Sequence, residues 1–323
     1  MLPGKVPPEV LRRLLSLLPP SKDVIVGPGE GIDFAALRVE GTLVASTDPI
    51  TGATRRIGFY ALHVNANDVA VSGAEPRWFL VTLLLPEGAD EELAEEIMKE
   101  IAENAERLGV SVVGGHTEVT PGLKRPIVVG TMLGEAEKLV RPDGAEPGDV
   151  IVMTKWAGLE GTAIIAEERE EELSRNLGRE LVERAKSLIG MISIVPEAMI
   201  ARDYASAMHD PTEGGIANGL HEMATAASLG FRVYAERIPV REETLRICSF
   251  YNLDPLALIS SGVLLTAVPR ESADDLVSEL RGSGIPAEVI GEFLDDPEKR
   301  VIVRGGLEKP LNRPETDELW KVV

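Results

Sequence analysis

The sequence predicts a mixed α/β protein built as two domains, and three observations lead there. The chain has 323 residues, more than one small core needs and enough for two domains of roughly 150 residues each. Short apolar runs of strand character alternate with longer stretches of helical spacing in both halves. The turn-rich stretch RPDGAEPGDV at 141–150 marks a boundary. Residues 1–145 are therefore expected to form the first domain and residues 146–323 the second.

Taken in order, the first half opens with an amphipathic segment at Pro8 to Leu18, then DVIVG and a Gly-rich loop. FAALRVE and TLVASTD flank Glu40-Gly41 and read as a hairpin. A helical pattern from about Gly58 to Val71 precedes the apolar strand WFLVTLLLP. In DEELAEEIMKEIAENAERLG, the residues Leu93, Ile97, Ile101, Ala105 and Leu108 share one face and Gly109 stands as a C-cap. The strands SVVGG and IVVGTMLG close this half. The second half starts with the strand VIVMT and is mostly helical up to Tyr204. HDPTEGGIANG, at 209–219, leads into a helix with Ile216, Leu220, Met223 and Ala227 that Gly230 is expected to end. Strands near FRVYAE, GVLLTAV, EVIGEF and RVIVRG complete the pattern.

Composition removes several function classes. Fifty-three acids against 33 bases give a net charge of −20, which repels a phosphate backbone, so nucleic acid is not an expected partner. Acidic charge still admits a phosphorylated ligand that arrives with Mg²⁺, because carboxylates hold the cation and the cation reverses the local sign. The single cysteine, Cys248, rules out an intrachain disulfide and a Cys-rich zinc site. No apolar run has the length of a membrane span, and MLPGKVPPEVLRRLL lacks the features of a signal peptide. A cytoplasmic protein that binds no membrane is the expectation.

The chemistry-bearing residues are acids beside small residues. Asp33 follows the loop Gly27-Pro28-Gly29-Glu30-Gly31, Asp48 ends the strand TLVASTD, Asp68 lies in NANDVAVSGA, and Asp210 opens DPTEGG. Each alone is more often a turn or cap residue. Two carboxylates about 4 Å apart repel by about 4 kcal/mol at an effective dielectric near 20, so a converging set calls for a cation. Gly114-Gly115 in SVVGGHTEV and Gly214-Gly215 before a helix let backbone N–H groups approach phosphate oxygens. Equally, Asp210 or Thr212 could serve as a simple N-cap, with the glycines relieving crowding. The loop at 27–31 is no dinucleotide fingerprint, since a strand and not a helix follows it, and no P-loop motif occurs. No H-E-x-x-H pairs His209 or His221 for zinc, and Cys248 in LRICSFY falls within a helical pattern as a core residue.

In this order the motifs resemble the aminoimidazole ribonucleotide synthetase (PurM) superfamily: the Gly-rich loop with Asp33, STD at 46–48, NANDVAVSGAEP at 65–76, VVGGHTE at 112–118 and HDPTEGGIANGLHEMA at 209–224. ERIPV at 236–240 and LDPLALISSG at 253–262 look like its HypE branch. The resemblance implies an N-terminal α/β domain whose sheet forms a barrel with its twin in a homodimer, and a C-terminal α/β sandwich. It implies ATP with Mg²⁺, with Asp33, Asp48, Asp68 and Asp210 as metal ligands. Gly27, Gly29, Gly31, Asn67, Gly114, Gly115, His116, Thr117, Thr212, Gly214 and Gly215 fall at nucleotide-binding positions. His116 stands where thiamine-monophosphate kinases usually have an aspartate and selenophosphate synthetases a histidine. HypE proteins carry a C-terminal cysteine that receives a carbamoyl group, whereas this chain ends in DELWKVV. The expected function is ATP- and Mg²⁺-dependent activation of an oxygen of an amide, carbonyl or phosphate acceptor, on a small molecule or a protein. The alternatives are a small-molecule kinase resembling thiamine-monophosphate kinase and a non-catalytic ATP-binding partner. No residue is assigned a catalytic role.

Overall fold

The computed structural model describes residues 1, 4–19, 23–29, 35–51 and 55–323. The chain divides into two compact units, one of Met1–Ala70 and Ala74–Lys138, the other of Val71–Gly73 and Leu139–Val323. Each carries its own sheet and helices, so the chain is an α/β protein with two sheet-containing domains.

In the first unit the strands are β1 (Gly4–Lys5), β2 (Val24–Val26), β3 (Ala36–Leu37), β4 (Thr42–Ile50), β5 (Glu75–Leu85), β6 (Ser111–Val119) and β7 (Ile127–Ala136). Five of them form a sheet in the order β1-β6-β5-β7-β4, parallel only between β5 and β6. Helices α1 (Pro8–Ser16), α2 (Ile57–Ala70) and α3 (Glu91–Leu108) complete the unit. α2 is apolar on nearly every side and almost wholly buried, as expected of a helix held between a sheet and a second helix. α3 buries Ile97, Ile101 and Ala105 of the face that its spacing predicts, together with Ala94, Met98 and Ala102, while Leu93 and Leu108 at its two ends are half-buried. Asp90 accepts the Leu93 N–H at its start, and Gly109 ends it in a left-handed conformation at φ 70°.

The expected hairpin across Glu40-Gly41 does not form. β3 pairs with β2 in a separate two-stranded sheet, while all nine residues of β4 pair with β7. The amides of Glu40 and Gly41 go to the Glu135 carboxylate of β7, and the long antiparallel ladder outweighs the local turn. On the sheet face away from α2, the side chains of Leu43, Ala45, Leu80, Leu84 and Leu133 are half-buried or exposed.

The second unit has strands β8 (Val150–Thr154), β9 (Ala207–His209), β10 (Gly230–Tyr234), β11 (Leu265–Val268), β12 (Ala287–Leu294), β13 (Arg300–Arg304) and β14 (Leu307–Pro310). They form one sheet in the order β14-β13-β10-β12-β8-β11-β9. Its helices are α4 (Leu159–Glu168), α5 (Glu170–Leu177), α6 (Arg179–Ser187), α7 (Val195–Ala201), α8 (Gly215–Ala227), α9 (Glu242–Tyr251) and α10 (Ala273–Gly282). Ile216, Leu220 and Met223 of α8 join Met153, Phe231 and Phe293 in the main core. Burying one such side chain contributes about 1.5–3 kcal/mol. A second cluster joins α4, α5, α6 and α9 to Leu319 and Val322 of the C-terminal segment. α8 ends earlier than expected: Ser228 takes the left-handed cap, and Gly230 opens β10. No described helix is long and apolar enough to cross a membrane.

Candidate functional site

In the first unit, β4 and α2 bring two of the predicted acids together. Ser46 and Asp48 alternate along β4 toward α2, and Asp68 lies on α2 one turn beyond Asn65. Ser46 Oγ donates to Asp68 Oδ2 at 2.8 Å, and the Asp48 carboxyl lies within hydrogen-bonding reach of Asp68. Asn65 spans helix and strand: its Oδ1 accepts the Asp48 N–H at 2.8 Å, and its Nδ2 donates to Ala61 O at 2.8 Å and Asp48 O at 3.3 Å. Gly130, opposite Asp48 on β7, makes room for this, since a Cβ there would lie 2.4 Å from Asn65 Nδ2.

Burial, and then the neighbouring Asp48 carboxyl, push the Asp68 carboxyl up to about 7, against the pull of the Ser46 hydroxyl. A pair of carboxyls in this state either shares a proton or holds a cation. The donor set suits Mg²⁺, which takes one or two carboxylates and fills its remaining positions with phosphate oxygens and water. Among the described residues no three His, Cys, Asp or Glu side chains come together as a metal centre. Asp33 and Gly31 lie outside the described residues. Gly27 and Gly29 follow β2, and Asn67 is fully buried on α2.

Gly114, Gly115, His116 and Thr117 lie on β6 beside Leu80, Val81, Thr82 and Leu83 of β5. Gly115 has φ +147°, and a Cβ there would stand 1.8 Å from Val81 O, so only glycine fits. His116 Nε2 meets Glu118 Oε2 at 3.0 Å, and Thr120 donates to the other oxygen; both contacts, His116 foremost, hold the Glu118 carboxyl below its usual range. The Thr117 carbonyl accepts the Val6 N–H.

In the second unit, buried Asp210 follows β9, and Thr212, Gly214 and Gly215 form the entry to α8. The Gly214 N–H donates to Asp317 Oδ2 at 2.6 Å and the Gly215 N–H to Thr212 O at 3.0 Å. Both amides thus have partners within the chain, and a phosphate oxygen reaches the Gly214 N–H only if Asp317 moves aside. Nearby, burial pushes Glu160, in the first turn of α4, up to about 7; Asp317 and Glu213 add to the rise and Ser261 opposes it. Its Oε2 has no hydrogen-bond partner among the described residues. Sequence reading missed Ser46, Asn65, Glu160 and Asp317. Asn65 had a signal, since it stands three residues before Asp68 on one helix and so shares its face. Asp317 had none, because its partner is 103 residues away.

Comparison with known proteins follows the same division. Residues 31–136 match the N-terminal domain of the AIR synthase related proteins, and residues 146–304 match their C-terminal domain. A putative hydrogenase expression/formation protein of Methanocaldococcus jannaschii is 31% identical over 252 residues, 76% of this chain and 72% of that protein. The chain belongs to the AIR synthase related family, and its two sheet-containing domains have the PurM-like fold. Within that family it is HypE-like. The carbamoyl dehydratase HypE of Azotobacter vinelandii is 31% identical over 81% of this chain and 78% of its own. A crystal structure of hydrogenase maturation protein HypE in complex with ATP shares 27% identity, covers 90% of each chain and superposes with a TM-score of 0.75.

Proposed function

We propose that the chain is an ATP- and Mg²⁺-dependent, HypE-like protein that activates an oxygen of an amide, carbonyl or phosphate acceptor by phosphoryl transfer. The observation that carries this reading is the Asp48–Asp68 pair, two carboxyls held together between β4 and α2 at a mutual electrostatic cost. The relative solved with ATP supports the choice of nucleotide. Bound Mg²⁺ supplies the charge that lets phosphates approach two carboxylates. The chain's own part is to hold Asp48 through Asn65, to orient Asp68 through Ser46, and to offer at Gly114 and Gly115 a backbone clear of side chains. Asp33, His116 and Thr117 complete the proposed set, and Asp210 is proposed as a further metal-binding acid of residues 146–323. In this reading residues 1–145 hold the metal and nucleotide and pair with a second copy through the half-bare sheet face.

A second reading, an ATP-binding partner without turnover, draws support from Cys248, the sole thiol in this sequence, which is buried in the α9 cluster. A screen of ATP turnover against amides, phosphate esters and carbamoyl-bearing proteins separates the two. Turnover with one acceptor favours the enzyme, and tight ATP binding without turnover on any favours the partner. Absence of ATP binding sinks both.

A further inference from the structure

The second unit also carries an open, mainly polar surface cavity of about 630 Å³, a volume within the range of small-molecule sites. Its apolar wall is formed by Ile238, Val240, Leu245 and Leu256, and Leu245 leaves half of its surface, 50%, in solvent. Two of the four charged groups around it are paired with each other. Lys321 Nζ donates to both oxygens of Glu318, at 2.6 and 2.7 Å. Glu318 Oε2 also accepts the Asp254 N–H, and Asp254 Oδ1 accepts the Leu256 N–H. The cation left without a charged partner is Arg304 at the end of β13. Its guanidinium is exposed and makes no hydrogen bond or ion pair among the described residues. Glu236, the carboxylate whose charge it influences, is held by the Gly305 N–H.

A guanidinium left over beside an apolar wall is complementary to a carboxylate on an apolar body, because the planar fork pairs two oxygens at once while the wall covers the rest. The cavity also has a mechanical connection. The short turn Glu318–Lys321 forms one of its sides, and the residue before that turn is Asp317, whose carboxylate holds the Gly214 N–H. A ligand that draws on Lys321 or Glu318 acts next to that bond.

We propose that this cavity binds a small carboxylate with an apolar body, through Arg304 and the Ile238–Leu245 wall, and that its occupancy is transmitted through the 317–321 turn to Gly214. The carboxylate can come from a simple acid or from an amino acid, whose ammonium group would meet the Asp254 carboxylate. Calorimetric titration of the full chain with 4-methylpentanoate and with L-leucine, together with hydrogen exchange over the peptide containing Gly214, tests this. At least one probe should bind saturably and alter exchange at Gly214. Tighter leucine binding assigns the ammonium to Asp254, and equal or tighter 4-methylpentanoate binding assigns recognition to the carboxylate alone. Arg304→Ala, which removes no internal bond and so leaves the fold intact, should weaken binding by about tenfold or more, and Arg304→Lys by less. No saturable binding of either probe, unchanged affinity in Arg304→Ala, or an unresponsive Gly214 amide in the bound state overturns the proposal. The test needs no nucleotide, so its outcome is independent of the ATP reading.

Discussion

The Gly214 amide and the Asp317 carboxylate meet at 2.6 Å across 103 residues of chain. Asp317 also accepts the Leu319 N–H at 2.7 Å and an amide from Ile259, so one buried side chain ties the entry of α8, the 256–262 loop and the C-terminal turn. Replacing it by alanine leaves buried donors unmet, which costs about 1–3 kcal/mol for such a group. Asp317→Ala is expected to lower stability by about that amount in urea unfolding, with faster hydrogen exchange at Gly214. Unchanged stability with unchanged exchange would show that the tie holds nothing.

The acid pair gives a charge test. Asp68→Asn keeps size and loses charge, so it should weaken Mg-ATP binding by about tenfold or more, as loss of a charged partner does. Asp143 is the control: it is engaged in an exposed ion pair with Arg141, and Asp143→Asn should leave binding unchanged. Equal calorimetric affinity in all three proteins removes Asp68 from the metal site.

The same residue sets a pH dependence. With Asp68 pushed up to about 7, the folded state binds its proton more tightly than the unfolded chain, whose aspartates titrate near 4. The stability of the metal-free protein should therefore fall as pH rises from about 4 to 7. Asp68→Asn, which cannot ionise, should lack that part of the slope. Mg²⁺ competes with the proton, so affinity for Mg-ATP should strengthen from about pH 6 to pH 8 in the wild type. Denaturation curves across this range that coincide for the two proteins would contradict the assignment.

Cys248 should be inert. Burial, with smaller contributions from Asp254 and Glu318, pushes its thiol up to about 12, leaving almost no thiolate at neutral pH. Iodoacetamide at pH 8 should label it only after unfolding, and incubation with ATP, Mg²⁺, carbamoyl phosphate and a carbamoyl-transferring partner should add no mass there. A carbamoyl or cyano adduct on native Cys248 would restore this thiol as an acceptor.

The half-bare sheet face carrying Leu43, Leu80, Leu84 and Leu133 is expected to be covered by a second copy. Light scattering should give a dimer at micromolar concentration. Leu80→Asp, which places a charge on that face, should give a folded monomer.

Local rules made some elements legible and left others hidden. α3 could be read closely because its apolar spacing, Asp90 and Gly109 all act within a few residues. The Glu40-Gly41 turn misled because two adjacent extended runs predict a hairpin only when no third strand offers a longer partner, and β7 does. Gly230 misled for a related reason: Ser228, a residue that seldom adopts the left-handed cap, had already ended α8. In the acid pair, the sequence pointed to Asp48 and Asp68 through the small residues and acids around them. The contacts that position them, from Ser46 and Asn65, required the register of β4 against α2. Glu160 could not be found at all, since an acid in the first turn of a helix is what any solvent-facing helix would show.

Asn65 behaves in effect as an extra peptide unit. Its amide exchanges hydrogen bonds with both the N–H and the C=O of Asp48, as a neighbouring strand would, although it belongs to a helix. α2 therefore cannot slide or rotate against β4 without breaking something equivalent to a rung of the sheet. The separation of the two carboxylates is consequently set when the chain folds, and the proposed ion would meet a gauge of fixed width.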